Sequence, residues 1–207
     1  MNNDFGRGAA NAYDAGFKRL GIGALFGLAD WRYEAISLAA HAEHLLRNCW
    51  KSQLTISLPR LRPCAGEFEP TATFNDRELT QLLCALRLFL PDVGLVLSTR
   101  EPENLRDGLI PLGITMISAG SHTEPGGYTG AGKENIHLTE RGRIVELAAN
   151  ASEWAPEESA AANASGATQA TGQFDIADER SPSEMADTLR RMGYEPVWKD
   201  WDAALTS

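Results

Sequence analysis

The chain of 207 residues contains no apolar run that approaches the span of a bilayer, and its first residues, MNNDFGRGAA, lack the apolar core of a signal peptide. No membrane partner is expected, and the cytoplasm is the expected compartment. Cysteine is scarce: Cys49, Cys64 and Cys84 are spaced by 15 and 20 residues, which fits neither a zinc knuckle nor a disulfide framework. Cys49 and Cys84 read as buried, reduced thiols. Positive charge is also short, with 19 Lys and Arg against 28 Asp and Glu and a net charge of −9. No basic footprint for nucleic acid is present. The acidic excess is uneven, since residues 1–149 carry 17 acidic against 15 basic groups while residues 150–207 carry 11 against 4. Large apolar side chains are rare in residues 148–170, where ten alanines mix with Ser, Thr, Asn, Glu and Gly. Such a composition cannot bury enough apolar area to offset the entropy of ordering. Residues 131–172 therefore read as an insertion, disordered or partly helical.

What remains is ordinary for a globular domain, with 43% hydrophobic and 23% charged residues. Residues 7–15 suit a short helix stopped by Gly16. Leu20–Leu25 reads as a buried strand carrying Gly21 and Gly23, which point to close packing or to close approach by a ligand. Asp30 caps a helix to about Leu46, with Leu38, Ala42, Leu45 and Cys49 on one face. His41 and His44 lie on this helix without a third ligand nearby and read as a solvated face. Leu54–Leu58 is the next strand, and it empties into PRLRPCAG, where Arg60 and Arg62 are held between Pro59 and Pro63. Anion binding and simple surface charge are equally open for this pair. Asn75 and Glu78 form a capping box before the stripe Leu79, Leu82, Leu83, Leu86 and Leu90.

The stretch Val93–Tyr128 organises the rest. Its apolar run Gly94–Leu97 empties into Ser98, Thr99, Arg100 and Glu101, a compact helix follows, and a second run, Ile114–Ile117, empties into Ser118, Ala119, Gly120 and Ser121. Two strands joined by one helix form a right-handed βαβ unit, so the strands are parallel. Both polar clusters then meet at neighbouring carboxyl ends, where open α/β sheets and barrels place their chemistry. Arg100 among these hydroxyls suits a carboxylate or phosphate. Ser181, Pro182 and Glu184 open a last helix that stops at Gly193, and Trp198 and Trp201 of the closing PVWKDWD are expected to pack on the body. The fold class is α/β, with four parallel strands and crossover helices over residues 1–130, the insertion over 131–172, and a helix with a tryptophan-bearing tail over 173–207.

GIGALFGL, SLPRLRPCAG, LSTRE, RDGLIPLGI, SAGS, PGGY and PVWKDWD, taken together and in this order, resemble the 2-iminoacetate synthase family, the radical S-adenosylmethionine tyrosine lyases of thiamine biosynthesis. The resemblance covers about residues 4–130 and 173–202. It implies a (β/α)8 TIM-type barrel of which this chain holds the second half, including the biotin- and thiamin-synthesis-associated region. It further implies cleavage of the tyrosine Cα–Cβ bond to 2-iminoacetate and p-cresol, with S-adenosylmethionine and a [4Fe-4S] cluster as cofactors of the complete enzyme. The CxxxCxxC cluster motif of the family is not found in this chain, so the cluster is expected on an N-terminal half-barrel, or on a partner supplying it, and the chain alone is expected to be inactive. By the same resemblance Arg100 and Ser118 match positions that hold the substrate carboxylate. Gly21 and Gly23 match the strand against the S-adenosylmethionine adenine, and Arg60, Arg62, Ser98, Thr99, Ser121 and Tyr128 would rim the pocket. The thiazole synthase system is the implied partner. A truncated or split-gene half-barrel without activity, and a fragment of the related tyrosine lyase that matures [FeFe]-hydrogenase, are the alternatives.

Overall fold

Three helices of this chain, those opening at Trp31, Asp76 and Pro182, start on side-chain caps, and two, ending at Asp14 and Arg191, stop just ahead of a glycine in the left-handed region. In the computed structural model, which describes residues 5–62, 70–123, 138–140, 143–145 and 176–198, α1 (Phe5–Asp14) ends ahead of Gly16 at φ +93°. A left-handed φ costs glycine no Cβ clash. The Asp30 carboxylate caps α2 (Trp31–Asn48) by accepting the Arg32 and Tyr33 N–H groups at 3.0 and 3.1 Å. The expected box opens α3 (Asp76–Phe89): Glu78 N–H donates to Asn75 at 3.0 Å and Asn75 N–H to Glu78 at 2.9 Å. α4 (Glu103–Leu109) tightens into a 3-10 turn over Ile110–Leu112. α5 (Pro182–Arg191) opens on a second box, Ser181 with Glu184, and stops before Gly193 at φ +86°.

Between these helices run β1 (Arg19–Gly23), β2 (Gln53–Ser57), β3 (Gly94–Leu97) and β4 (Met116–Ile117). They form one parallel sheet in sequence order, the four-stranded α/β arrangement expected. Burial alternates along the strands. Leu20, Leu54, Ile56, Leu95 and Leu97 join Leu38, Ala42 and Leu45 of α2 and Leu79, Leu82, Leu83 and Leu86 of α3 in one core. Each leucine or isoleucine among them contributes roughly 1.5–3 kcal/mol on burial. The opposite face carries Gly21, Gly23, Thr55, Ser57, Gly94 and Val96, all half-buried or exposed. A parallel sheet covered by helices on both faces reads as continuous apolar runs. Here α2 and α3 pack on one face, and the residues of the other are mostly small. β4 is shorter than the expected Ile114–Ile117, because the Thr115 hydroxyl, a side chain, takes the Leu95 N–H at 2.9 Å.

The chain divides into two units, one of Met1–Leu61, Pro70–Ser121 and Ile176–Ser207, the other of Arg62–Glu69 and His122–Asp175. The C-terminal segment thus belongs with the sheet, through the buried Met185, Ala186 and Thr188 of α5. Trp198, expected to pack on the body, is 57% exposed, and Trp201 lies outside the described residues. In the second unit β5 (Leu138–Glu140) pairs antiparallel with β6 (Arg143–Val145). This pair falls where disorder or partial helix was expected. β-branched Thr139, Ile144 and Val145 favour a strand there, against the alanine-rich composition that follows.

The register sets Gly23 opposite Ser57. A Cβ on Gly23 would sit 2.6 Å from the Ser57 carbonyl oxygen, whereas one on Gly21 would meet only the Thr55 hydroxyl at 3.5 Å. Gly23→Ala should therefore lower stability by roughly 1–3 kcal/mol, and Gly21→Ala should shift it by no more than about 0.5 kcal/mol. Urea denaturation of the two variants side by side checks this; equal midpoints would contradict the close approach at Gly23.

Candidate functional site

The carboxyl ends of the strands are tied together pairwise. After β1, Phe26 bridges to the chain after β2: Phe26 N–H donates to the Pro59 carbonyl at 2.9 Å and Leu61 N–H to the Phe26 carbonyl at 2.8 Å. The Phe26 ring stacks on Phe74 with centroids 4.5 Å apart. From this corner Arg60 reaches β3. Its Nε donates to both Glu101 oxygens at 3.0 and 3.1 Å, its Nη2 donates to Glu101 as well, and its Nη1 donates to the Phe74 carbonyl at 3.2 Å and pairs with Asp76 at 2.7 Å. Burial alone would lower the Arg60 pKa, but Glu101 and Asp76 outweigh it and hold the guanidinium charged. Glu101 is 1% exposed, so the pair is desolvated and depends on its hydrogen bonds.

A second buried pair joins β3 to β4. Arg106 of α4 and Asp178 are both 0% exposed. Arg106 Nη1 donates to Asp178, and Arg106 Nη2 donates to the carbonyl of Ser118. Arg180 folds back on the same carboxylate, its Nε 2.9 Å and its Nη2 2.6 Å from the Asp178 oxygens, and its N–H donates to Asp178 at 3.0 Å. The far edge of Arg180 grips Asp107 with two bonds of 2.9 and 3.2 Å. Burial would raise the Asp178 carboxyl, but the hydrogen bonds from Arg180 and the charge of Arg106 hold it below the ordinary carboxylate range. The backbone repeats the join: Ala177 and Asp178 N–H groups donate to the Thr99 carbonyl at 3.0 and 3.1 Å, and Gly120 N–H donates to the Arg180 carbonyl at 3.1 Å.

Against this frame the expected site residues separate. Arg100 lies half-buried after β3, its N–H on the Ser98 hydroxyl at 3.2 Å and its Nη1 on the Arg60 carbonyl at 3.4 Å. Ser118, half-buried after β4, donates its N–H to the Leu97 carbonyl at 3.0 Å, and Ser121 is half-buried in the same loop. Arg100 and Ser118 thus follow adjacent, paired strands. Two residues expected at a pocket rim are inside instead. Arg60 is 8% exposed and Thr99 2%, because one neutralises Glu101 and the other's carbonyl anchors the returning chain. Glu101 is bound by Arg60, and Asp107 by Arg180. Arg62 belongs to the second unit, and Tyr128 lies outside the described residues. Arg106, Asp178 and Arg180 escaped the sequence reading altogether. Their one signal was an arginine three residues ahead of Leu109 on a short helix, one turn from a residue placed to be buried.

Gly21 and Gly23 sit on the face of mostly small residues. A Cβ at Gly21 would make only an ordinary contact with Thr55, whereas one at Gly23 would collide with Ser57. Of the three cysteines, Cys64 lies outside the described residues. Cys49 is buried at the end of α2, and burial first, Asp14 second, push its thiol up. Cys84 is a free thiol on α3, and among the described residues no three His, Cys, Asp or Glu side chains gather as metal ligands. His44 is exposed; His41 is half-buried, with its pKa lowered by burial and by His44.

A cavity of about 430 Å³ lies away from this cluster, lined by Arg19, Ile114, Met116, Leu189, Tyr194 and Val197 among others. It holds neither Arg100 nor Ser118.

Residues 57–195 match the Biotin and Thiamin Synthesis associated domain. The chain is 38% identical over 192 residues to the 2-iminoacetate synthase of Escherichia coli (strain K12), and 37% identical over 192 residues to that of Salmonella typhimurium (strain LT2). Each alignment covers 92% of this chain and 41% of the relative, so the chain spans about two fifths of the length of the curated relatives it matches. Among solved structures, HydG, a maturase of the [FeFe]-hydrogenase, superposes with a TM-score of 0.68 at 30% identity, over 95% of this chain and 35% of that one. HydG from Carboxydothermus hydrogenoformans gives 0.64 at 31% identity, over 89% of this chain and 34% of that one.

The depressed Asp178 pKa fixes a pH dependence. Its contribution to stability is complete above the ordinary aspartate range, near pH ~4, and is lost as pH falls through the folded value. Asp178→Asn should cost roughly 3–5 kcal/mol at neutral pH, the usual penalty for breaking a buried pair, and should flatten the loss of stability below about pH 4. Denaturant titrations across pH 2–7 measure both effects. A variant with the acid profile of the parent would show that Asp178 does not carry the shift.

Proposed function

The chain belongs to the Biotin and Thiamin Synthesis associated domain family, and from that premise we propose that it forms the substrate-holding part of a 2-iminoacetate synthase, a radical S-adenosylmethionine lyase that cleaves the Cα–Cβ bond of tyrosine. The observation that carries this reading is the placement of Arg100 and Ser118 at the carboxyl ends of paired parallel strands. Arg100 grips the tyrosine carboxylate, because its planar fork meets both oxygens at once. The Ser118 hydroxyl is the second donor. Ser98 and Ser121 complete a polar surround at the same strand ends. Holding the amino-acid end fixes the reacting bond relative to the cofactor, and that positioning is the protein's share of the work.

In this reading the sheet is the second half of a (β/α)8 barrel. The packing of α2 and α3 on one face supports it, since in such a barrel the helices form an outer ring around the strands. The strand at Gly21 receives the adenine of S-adenosylmethionine, which when bound supplies hydrogen-abstracting radical chemistry. Cluster ligands come from outside the described residues. The likeness to HydG raises a second tyrosine lyase reading; identities of 37–38% to 2-iminoacetate synthases against 30–31% to HydG favour the thiamine side. Its product would then feed the thiazole synthase system.

Arg100→Lys and Arg100→Ala in the full-length enzyme test the reading. Losing charge-assisted hydrogen bonds worth about 1.5–3 kcal/mol should weaken tyrosine binding roughly 10- to 150-fold in the alanine variant. Lysine keeps the charge without the fork and should fall between alanine and the parent. S-adenosylmethionine affinity should stay at the parent value in both. Parent-like tyrosine binding in the alanine variant would overturn the assignment.

A further inference from the structure

The returning segment after residue 175 does something at the strand ends that a tail packing on an outer surface would not. Ala177 and Asp178 donate their N–H groups to the carbonyl of Thr99, the residue between Ser98 and Arg100. Two residues later the Arg180 carbonyl accepts the Gly120 N–H, two residues beyond Ser118. The Asp178 side chain closes the frame from within, since it binds Arg106, and Arg106 in turn holds the Ser118 carbonyl. Gly120 sits at φ +60°, and a Cβ there would be 2.8 Å from Pro182, so the loop after β4 is pressed against the start of α5. The loop bearing Arg100 and the loop bearing Ser118 are therefore cross-linked by one segment, Ile176–Pro182, at both backbone and side-chain level.

We propose that Asp178 and Arg106 are positioning residues which set the spacing of the Arg100 and Ser118 loops, so that the segment Ile176–Pro182 acts as a strap tuning the enzyme for substrates that carry a carboxylate. The inference rests on the carboxylate-binding reading of Arg100 and Ser118. β4 is only two residues long and shares two register pairs with β3, so the sheet ladder alone leaves the two loops weakly fixed. An error of about 1 Å in such a constellation is enough to lose most of its binding. The strap supplies the missing constraint with groups that are fully buried, and whose hydrogen bonds therefore cannot be exchanged for water.

The test measures affinity for tyrosine and for tyramine, the same molecule without its carboxylate, in the full-length enzyme with S-adenosylmethionine bound. Asp178→Asn should weaken tyrosine about tenfold or more and leave tyramine within about twofold, since only a misplaced clamp discriminates between them. Because that variant loses stability, Arg180→Lys is measured beside it; it keeps the charge, gives up the two-bond grip on Asp107, and should show a smaller loss confined to tyrosine. Combining Asp178→Asn with Arg100→Ala should weaken tyrosine no further than Arg100→Ala alone, as expected of groups that act as a unit. Equal weakening of tyrosine and tyramine in the folded strap variants, or no change in either, would overturn the inference while a selective Arg100→Ala loss left the proposed function standing. If Arg100→Ala itself fails to separate the two ligands, the carboxylate reading falls, and the strap's role with it.

Discussion

The buried pair of Arg106 and Asp178 is the constraint on which the upper part of this structure depends. Taking two charges out of water costs several kcal/mol per ion before any attraction is counted, roughly what one or two buried leucines contribute. The cost is offset because both Asp178 oxygens are used, by Arg106, the Arg180 side chain and the Arg180 N–H, although Arg106 Nε is buried without a hydrogen-bond partner. Without it a helix, two loops and the returning chain would each lose a partner. An apolar substitute could fill the volume but could not hold a carbonyl of one loop and a carboxylate of another at once.

A similar solution appears one strand earlier. Arg60 is also buried, also neutralised by a carboxylate, Glu101, and also donates to a main-chain carbonyl, that of Phe74. The sheet is therefore held in two different ways along its length. Its body is an apolar sandwich of alternate strand residues against the leucine stripes of α2 and α3, tolerant of small volume changes. Its carboxyl edge is a set of directional bonds from planar guanidinium groups, tolerant of very little. Directional bonds fix angle as well as distance at that edge, which apolar packing alone does not.

Much of the scaffold was legible from local chemistry. The Asn75–Glu78 and Ser181–Glu184 boxes, the Asp30 cap, the stops at Gly16 and Gly193, and the run Gly94–Leu97 are all short-range signals, and all are found where the residues put them. Strand order followed from chain order once the crossovers were read as helices. What escaped were long-range choices. The family resemblance implied a pocket rim for Arg60 and Thr99, yet each is drawn inside by a partner dozens of residues away. Arg106 and Asp178 are 72 positions apart, and no local pattern links them. The β5–β6 pair was hidden by the composition of its surroundings, though Thr139, Ile144 and Val145 carried the signal. Gly23 had two open readings, ligand approach or packing; the collision with Ser57 favours packing, against a strand.

The strap has a further consequence, which lies in polymer statistics. It fixes the chain at Gly120 on one side and at Ala177 on the other, so the intervening chain begins and ends at points held by the sheet. For a fully flexible connection, the entropy of closure grows only with the logarithm of length, and each doubling costs about 0.6 kcal/mol. Outside the β5–β6 pair, a change of length costs only that logarithm where the connection is flexible, and it leaves the two anchoring hydrogen bonds in place. The same change made between Thr99 and Gly120 would alter the geometry directly. Drift in chain length during evolution is thus free to accumulate in one interval and confined in the other, and the boundary between the two regimes is the pair of anchoring hydrogen bonds.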